Sequence, residues 1–253
     1  MSTNTIALVT GGSRGLGRNS ALHLAQAGHD IVLTYRTRAE EAQQAVADIQ
    51  ALGRQAVALP LDTGVSSSFP AFAEALRAQL RQHWQRDTFN FLINNAGHDA
   101  PAPFAETTEE QFDGLLNVHF KGVYFLTQQL LPLLADSGAI VNFSTGLARF
   151  TTPGYSAYAS MKGAVETLTK YLAKELGSRG IRANIVAPGI VKTDFTKGAR
   201  EAHPQLEQYM SGNTALGRIG EPDDIGPVVA FLCSDAARWV NAQRLEASGG
   251  YSL

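Results

Sequence analysis

The chain has 253 residues, 44% of them apolar and 17% charged, with 21 basic and 23 acidic side chains and a net charge of −2. That length can bury a sizeable core, and the composition excludes a disordered chain. The near-balanced charge gives no footprint for nucleic acid or for an anionic membrane surface.

Taken in chain order, β-branched runs that read as strands fall at 6–9, 31–35, 56–61, 91–94, 139–143, 183–187 and 245–248. Helical patterns fall between them at 15–27, 38–52, 67–83, 108–134, 157–178 and 222–232. Thr107 followed three residues later by Glu110 reads as a helix start. Gly28, Gly53 and Gly180 follow helical runs as C-terminal caps. Strands alternating with helices imply crossover units and a parallel sheet, and apolar runs such as FLIN and AIVNF suit strands buried on both faces. No linker divides the chain, so residues 1–253 are expected to form one domain. Residues 192–220 are the least regular part and are expected to form a lid over a substrate. Cys233 is the single cysteine, so no intrachain disulfide is possible, and its place in VVAFLC suits a buried apolar role. The N-terminus MSTNTIALVTGG lacks the order of a signal peptide, and no apolar run reaches bilayer length; the expectation is a cytoplasmic protein.

The first strand runs into TGGSRGLG, residues 10–17, which open the first helix. Glycines at such a turn let the backbone approach a pyrophosphate, and the helix N-terminus favours its charge. A dinucleotide site that prefers NAD carries an acid on the ribose about twenty residues further on. Here the second strand ends LTYRTR, so Arg36 and Thr37 stand there instead, and the first carboxylate is Glu40. Arg14 lies inside the glycine loop. Two guanidiniums suit a ribose 2′-phosphate, so the expected cofactor is NADP(H).

Further motifs follow in order: Asp62 after the third strand, Asn94-Asn95-Ala96-Gly97 after the fourth, Asn117 in the next helix, Ser144-Thr145 after the fifth, then Tyr158-Ala159-Ser160-Met161-Lys162 and Pro188-Gly189. Together with TGxxxGxG this set resembles the short-chain dehydrogenase/reductase family, in its branch of about 250 residues, over nearly the whole chain. The resemblance implies an α/β fold with a single Rossmann-like, doubly wound parallel sheet of about seven strands, flanked by helices on both faces. It also implies a homotetramer, built through the helices at 108–134 and 157–178. The implied catalytic set is Asn117, Thr145, Tyr158 and Lys162. Tyr158 would exchange a proton with the carbonyl oxygen. Four residues on, on the same helix face, Lys162 would lower its pKa. Asn117 would anchor a water. The implied cofactor contacts are Gly11, Ser13, Arg14, Gly15, Leu16, Gly17, Arg36, Thr37, Asp62, Asn95, Ala96, Gly97, Tyr158, Lys162, Pro188, Gly189, Val191 and Thr193.

Relatives place a serine thirteen residues before the tyrosine; this chain has Thr145 there, and Ser144 one place earlier. Threonine keeps the hydroxyl, so Thr145 is expected to orient the carbonyl, with the two neighbours turned in different directions along the strand. Tyr155 stands at the longer spacing used by enoyl reductases of the family, but TGGSRGLG differs from their loop, so Tyr155 is assigned to the pocket wall. His98, Ser144, Arg149, Phe150 and Tyr155 are expected around the substrate. The six histidines are scattered, without metal-ligand spacing, and no metal is expected. His119 reads as a helix-packing residue. The leading function is NADPH-dependent reduction of a small carbonyl compound, reversible as an alcohol dehydrogenase. The alternative is a 3-oxoacyl-[acyl-carrier-protein] reductase, for which Arg179 offers a base near the mouth while Asp136 weighs against it. A third reading is an NADP-sensing protein without turnover.

Overall fold

In the computed structural model, residues 5–202 and 205–253 are described. The leader residues 1–4, and positions 203 and 204 of the expected lid, lie outside them. The elements run β1 (Ile6–Val9), α1 (Gly15–Gln26), β2 (Asp30–Tyr35), α2 (Ala39–Ala51), β3 (Ala56–Pro60), α3 (Phe69–Trp84), β4 (Phe89–Asn94), α4 (Glu109–Leu116), α5 (Gly122–Leu130), β5 (Leu134–Phe143), α6 (Ser156–Glu175), β6 (Arg182–Pro188), α7 (Asp194–Ala202), α8 (Leu206–Gly212), α9 (Gly226–Leu232) and β7 (Arg244–Ala247). All seven strands are parallel in one sheet of order β3-β2-β1-β4-β5-β6-β7.

The central strands are buried on both faces because most of their residues are apolar. Ala7, Val9, Ile31, Leu33 and Val141 pack with α1, α2 and α9 on one side. Ile6, Leu8, Val32, Leu92 and Ile140 pack with α3, α5 and α6 on the other. The period of two along β1 decides which core each residue joins. Cys233, just after α9, is 3% exposed within the first of these cores. A buried amide and hydroxyl chain ties the second face together: Asn94 Nδ2 donates to Thr127 Oγ1 (3.1 Å) and Asn142 Oδ1 (2.8 Å), and Asn142 Nδ2 donates to Thr169 Oγ1 (2.9 Å). With these partners satisfied, the chain fixes α5 and α6 against β4 and β5.

Two expected boundaries change. The helical run 108–134 divides into α4, a π-turn at Asn117–Lys121 and α5, and then ends before Pro132. Proline has no N–H for the helix ladder, so the chain turns and Leu134 already pairs with Phe89 in the sheet. The helix start also moves by one residue. Thr107 Oγ1 donates to Pro103 O, whereas Thr108 caps α4 and forms a capping box with Gln111. The expected caps Gly28, Gly53 and Gly180 all take positive φ, at 99°, 77° and 68°. Residues 194–202, left irregular in the sequence reading, form α7.

Strand order reverses between β1 and β4, whose carboxyl ends open a crevice there. In open parallel sheets this switch point is where ligands bind.

Candidate active site

The glycine loop leaves β1 at the switch point. Gly11 and Gly15 take φ of 65° and 54°. A Cβ on Gly17 would stand 2.2 Å from Gly11 O, so only glycine lets α1 start this close to the strand. Thr10 and Asn95 lock the loop to β4. Thr10 Oγ1 accepts from Asn95 N (3.0 Å) and Ala96 N (3.1 Å), and Asn95 Nδ2 donates to Thr10 O (2.9 Å) and Gly11 O (3.2 Å). Asn95 therefore holds the crevice open by bracing its two walls. The N-terminus of α1 has no side-chain cap and no acid in its first turn. Its free N–H groups and dipole suit a phosphate, so the loop fits a dinucleotide.

Arg36 and Thr37 are exposed just beyond β2. Among the described residues, Arg36 has no ion pair or hydrogen bond, and its charge reaches His98, where it helps burial hold that imidazole below its ordinary value. Arg14 is paired instead: Nη1 lies 3.1 Å from Asp194 Oδ2, the first residue of α7. Thr193 sits over Gly15 beside that pair. Asp62, after β3, accepts from Gly64 N at 2.8 Å. Gly97 packs against the His119 ring. Past β6, Gly189 N donates to Ala247 O (3.0 Å), and Val191 bridges to Gly220.

Tyr158 and Lys162 lie one turn apart on α6. Lys162 is 4% exposed, and its Nζ donates to Phe143 O at 2.8 Å and stands 5.8 Å from the Tyr158 ring centroid. Burial pushes this lysine down to about 8. Burial, with Asp99 and Tyr155 adding, holds the Tyr158 phenol above its ordinary value. No lowering by Lys162 offsets this, so in the protein alone the phenol keeps its proton at neutral pH.

The hydroxyl pair at the end of β5 divides as strand alternation requires. Ser144 turns inward and donates to Glu166 Oε1 on α6, at 2.6 Å. Thr145, in extended backbone, accepts from Leu147 N at 3.2 Å, so its own hydroxyl proton is left to donate elsewhere. Arg149 is spent away from a substrate: it pairs twice with Glu246 (2.8 and 2.9 Å) and donates to the carbonyls of Tyr251 and Ser252. Phe150 packs against Gly146 and the Tyr251 ring. Tyr155 and His98 are half-buried, and burial moves each away from its charged form.

Asn117 opens the π-turn, and among the described residues its side chain makes no hydrogen bond. The residue of that turn that meets Tyr158 is His119, 1% exposed, its ring edge-on to the phenol at 5.0 Å. His119 Nε2 lies 2.6 Å from His98 O and 3.3 Å from His98 N, while Nδ1 is buried without a partner. Burial and the Lys162 charge push this imidazole down to about 2, so it is neutral. The sequence signal for this placement was slight, because the π-turn shifts the facing of residues beyond Leu116. Phe195 of α7, also unassigned from sequence, stands 6.3 Å from the Tyr158 ring. Among the described residues no three His, Cys, Asp or Glu side chains cluster to hold a metal, and no helix is long and apolar enough to cross a membrane.

Comparison with known proteins bears on this geometry. The profile of a family described as enoyl-(acyl carrier protein) reductase matches residues 11–252. The chain is 36% identical to an oxidoreductase of Methylorubrum extorquens over 245 residues, covering 97% of this chain and 96% of that protein. It is 34% identical to the 3-oxoacyl-[acyl-carrier-protein] reductase of Staphylococcus aureus, covering 96% of each. Among solved structures, the angucycline C-6 ketoreductase LanV with bound NADP superposes with a TM-score of 0.93 at 35% identity, covering 98% of this chain and 95% of that one.

Proposed function

The chain belongs to the short-chain dehydrogenase/reductase family, and from that premise we propose that it reduces a free carbonyl compound to the alcohol with NADPH, and oxidises the alcohol in reverse. The observation that carries this reading is the convergence of a protonated phenol and a buried lysine, Tyr158 and Lys162, at the carboxyl end of β5 beside the uncapped glycine loop. The NADP-bound ketoreductase supports the cofactor, as does the absence of an acid on the second strand's exit. Gly11 to Gly17 would hold the pyrophosphate, Arg14 and Arg36 the 2′-phosphate, and Asp62, Asn95 to Gly97 and Pro188 to Thr193 the remainder. NADPH, when bound, supplies the hydride that the carbonyl carbon accepts.

The protein's own residues handle the proton. Thr145 donates a hydrogen bond to the carbonyl oxygen and sets its direction. Tyr158 Oη gives its proton to that oxygen as negative charge develops there. The Lys162 ammonium favours the phenolate left behind, and Asn117 stands in the π-turn as the expected water anchor.

The substrate we infer is an uncharged ketone with cyclic or aromatic character. Rings of Phe195 and His119 flank Tyr158, while Arg149, Lys192 and Arg218 each face carboxylates. The carrier-protein alternative needs free bases at the mouth. Arg179 is committed to Asp136 and to the carbonyls of Leu131 and Leu134, which weighs against it. We further propose one domain over 1–253 with a lid at 192–220, a cytoplasmic location and a homotetramer. Exposed Phe112, Tyr124, Phe125 and Tyr171 on α4, α5 and α6 support the last.

The test is NADPH consumption against simple ketones, cyclic and aryl ketones, ketoesters, diketones and an acetoacetyl thioester. Turnover of cyclic or aryl ketones is expected, and Tyr158→Phe should abolish it while NADPH still binds. Turnover of the thioester alone would transfer the reading to the carrier-bound substrate. NADPH binding with no oxidation across the panel would favour the sensing protein.

A further inference from the structure

Behind Thr145 lies a chain of charged groups that the reaction itself does not use. Arg244, on β7, makes three hydrogen bonds at once and reaches a fourth group through one of its partners. Its Nη2 donates to Thr145 O (2.9 Å), its Nε to Glu166 Oε1 (2.7 Å) and its Nη1 to Glu246 Oε2 (2.7 Å), and through Glu166 it is joined to the Ser144 hydroxyl (2.6 Å). Glu246 passes the link on to Arg149, which grips the carbonyls of Tyr251 (2.7 Å) and Ser252 (2.9 Å). Two guanidiniums meet two carboxylates, so the cluster is neutral as a whole. The side chains of Arg244, Glu166 and Glu246 are only 23%, 19% and 20% exposed. At that depth, planar guanidinium pairs hold geometry far better than surface pairs do.

The geometry points to Arg244 and Glu166 as positioning residues for the Thr145 hydroxyl. Arg244 fixes the Thr145 carbonyl, and Glu166 fixes the residue before it through Ser144. With the backbone held on both sides of the Ser144–Thr145 peptide, the Thr145 side chain has one direction left, toward the reacting oxygen. The last residues of the chain belong to the same frame through Arg149. Ser144 thus serves from behind the strand while Thr145 serves in front. The inference rests on the reading of Thr145 as the residue that orients the carbonyl.

The experiment measures kcat, KM for the ketone, NADPH affinity and thermal melting for Arg244→Met, Glu166→Leu and Glu166→Gln, alone and combined with Thr145→Val. A misplaced orienting group costs rate more than binding, so Arg244→Met and Glu166→Leu should each lower kcat by roughly tenfold to a hundredfold with NADPH affinity unchanged. Glu166→Gln keeps an acceptor oxygen for Ser144 and Arg244 and should recover most of the rate. In the Thr145→Val background the same changes should cost nothing further, because the group they aim is gone. An equal additional loss in that background would overturn the inference, as would wild-type kcat in folded Arg244→Met and Glu166→Leu. A fully active Thr145→Val would instead remove the reading of Thr145 beneath it, which separates the two failures. Should Arg244→Met fail to fold, the Glu166 pair decides alone.

Discussion

Thr145 and Ser144 differ by one position and by everything their hydroxyls can reach. Ser144 donates its hydroxyl hydrogen to a hydrogen bond with Glu166, so it has none to offer a substrate. Thr145 accepts from Leu147 and keeps its own. Thr145→Ser should therefore stay within about tenfold of wild type, while Thr145→Val should lose roughly 10²–10³ in kcat, the cost of removing one donor to a developing oxyanion. Steady-state kinetics on the best ketone decide it, and an active valine variant would hand the role to Ser144. Counting back from Tyr158 by the spacing of its relatives is what singles out Thr145 in the sequence as the expected orienting residue. The task of Ser144 was not legible, because Glu166 lies 22 residues on and Arg244 a further 78. Arg149 is a similar case: it stands four residues after Thr145 in sequence, but its partners are 97 to 103 residues away. Sequence spacing shows which residue types share a segment, whereas long-range pairing decides which of them are left free.

At the scale of elements, α1 and α7 meet at the Arg14–Asp194 pair. The pair is exposed, so it is worth little in stability, but it occupies one of the two guanidiniums we propose for the 2′-phosphate. Replacing Arg14 and Arg36 by Gln should weaken NADPH binding by roughly 10²-fold, as expected when charge-assisted phosphate contacts are lost, and leave NADH nearly unchanged. Titration of both cofactors checks this, and equal losses would remove the 2′-phosphate assignment. Element order and strand positions were readable because the buried parallel strands are mostly apolar runs bounded by turns. The helix at 108–134 was overextended because its apolar pattern continues through Pro132 into β5. The π-turn was invisible for a different reason: it changes the facing of residues without changing their composition. His119, expected to pack, does so, and the π-turn makes Tyr158 one of the rings it packs against.

For the whole molecule, one readable effect of pH on the alkaline side of neutrality comes from Lys162. Its pKa falls from 10.5 in the open chain to about 8 in the fold. The folded state thus binds fewer protons than the unfolded state between those values, and stability rises with pH there. The penalty of burying the ammonium is complete below about 8 and is relieved as pH approaches 10.5. Tyr158 works in the opposite sense only above its ordinary value of 10.0, outside most of that window. Denaturant unfolding of the cofactor-free protein at pH 8 and pH 10 should show wild type gaining about 2 kcal/mol relative to Lys162→Met. Parallel curves for the two proteins would mean that the lysine is not buried as described. The same depth of burial has a different use at Cys233, whose thiol is pushed up to about 12 and packed beneath α9. The thiolate is the nucleophile that attacks thiol reagents, so this buried, protonated side chain reacts only once the packing around α9 has opened. The chain thus carries one silent chemical clock, and the rate at which a reagent in excess consumes it reads how often this edge of the protein opens, with no label to introduce and no second thiol to confuse the count.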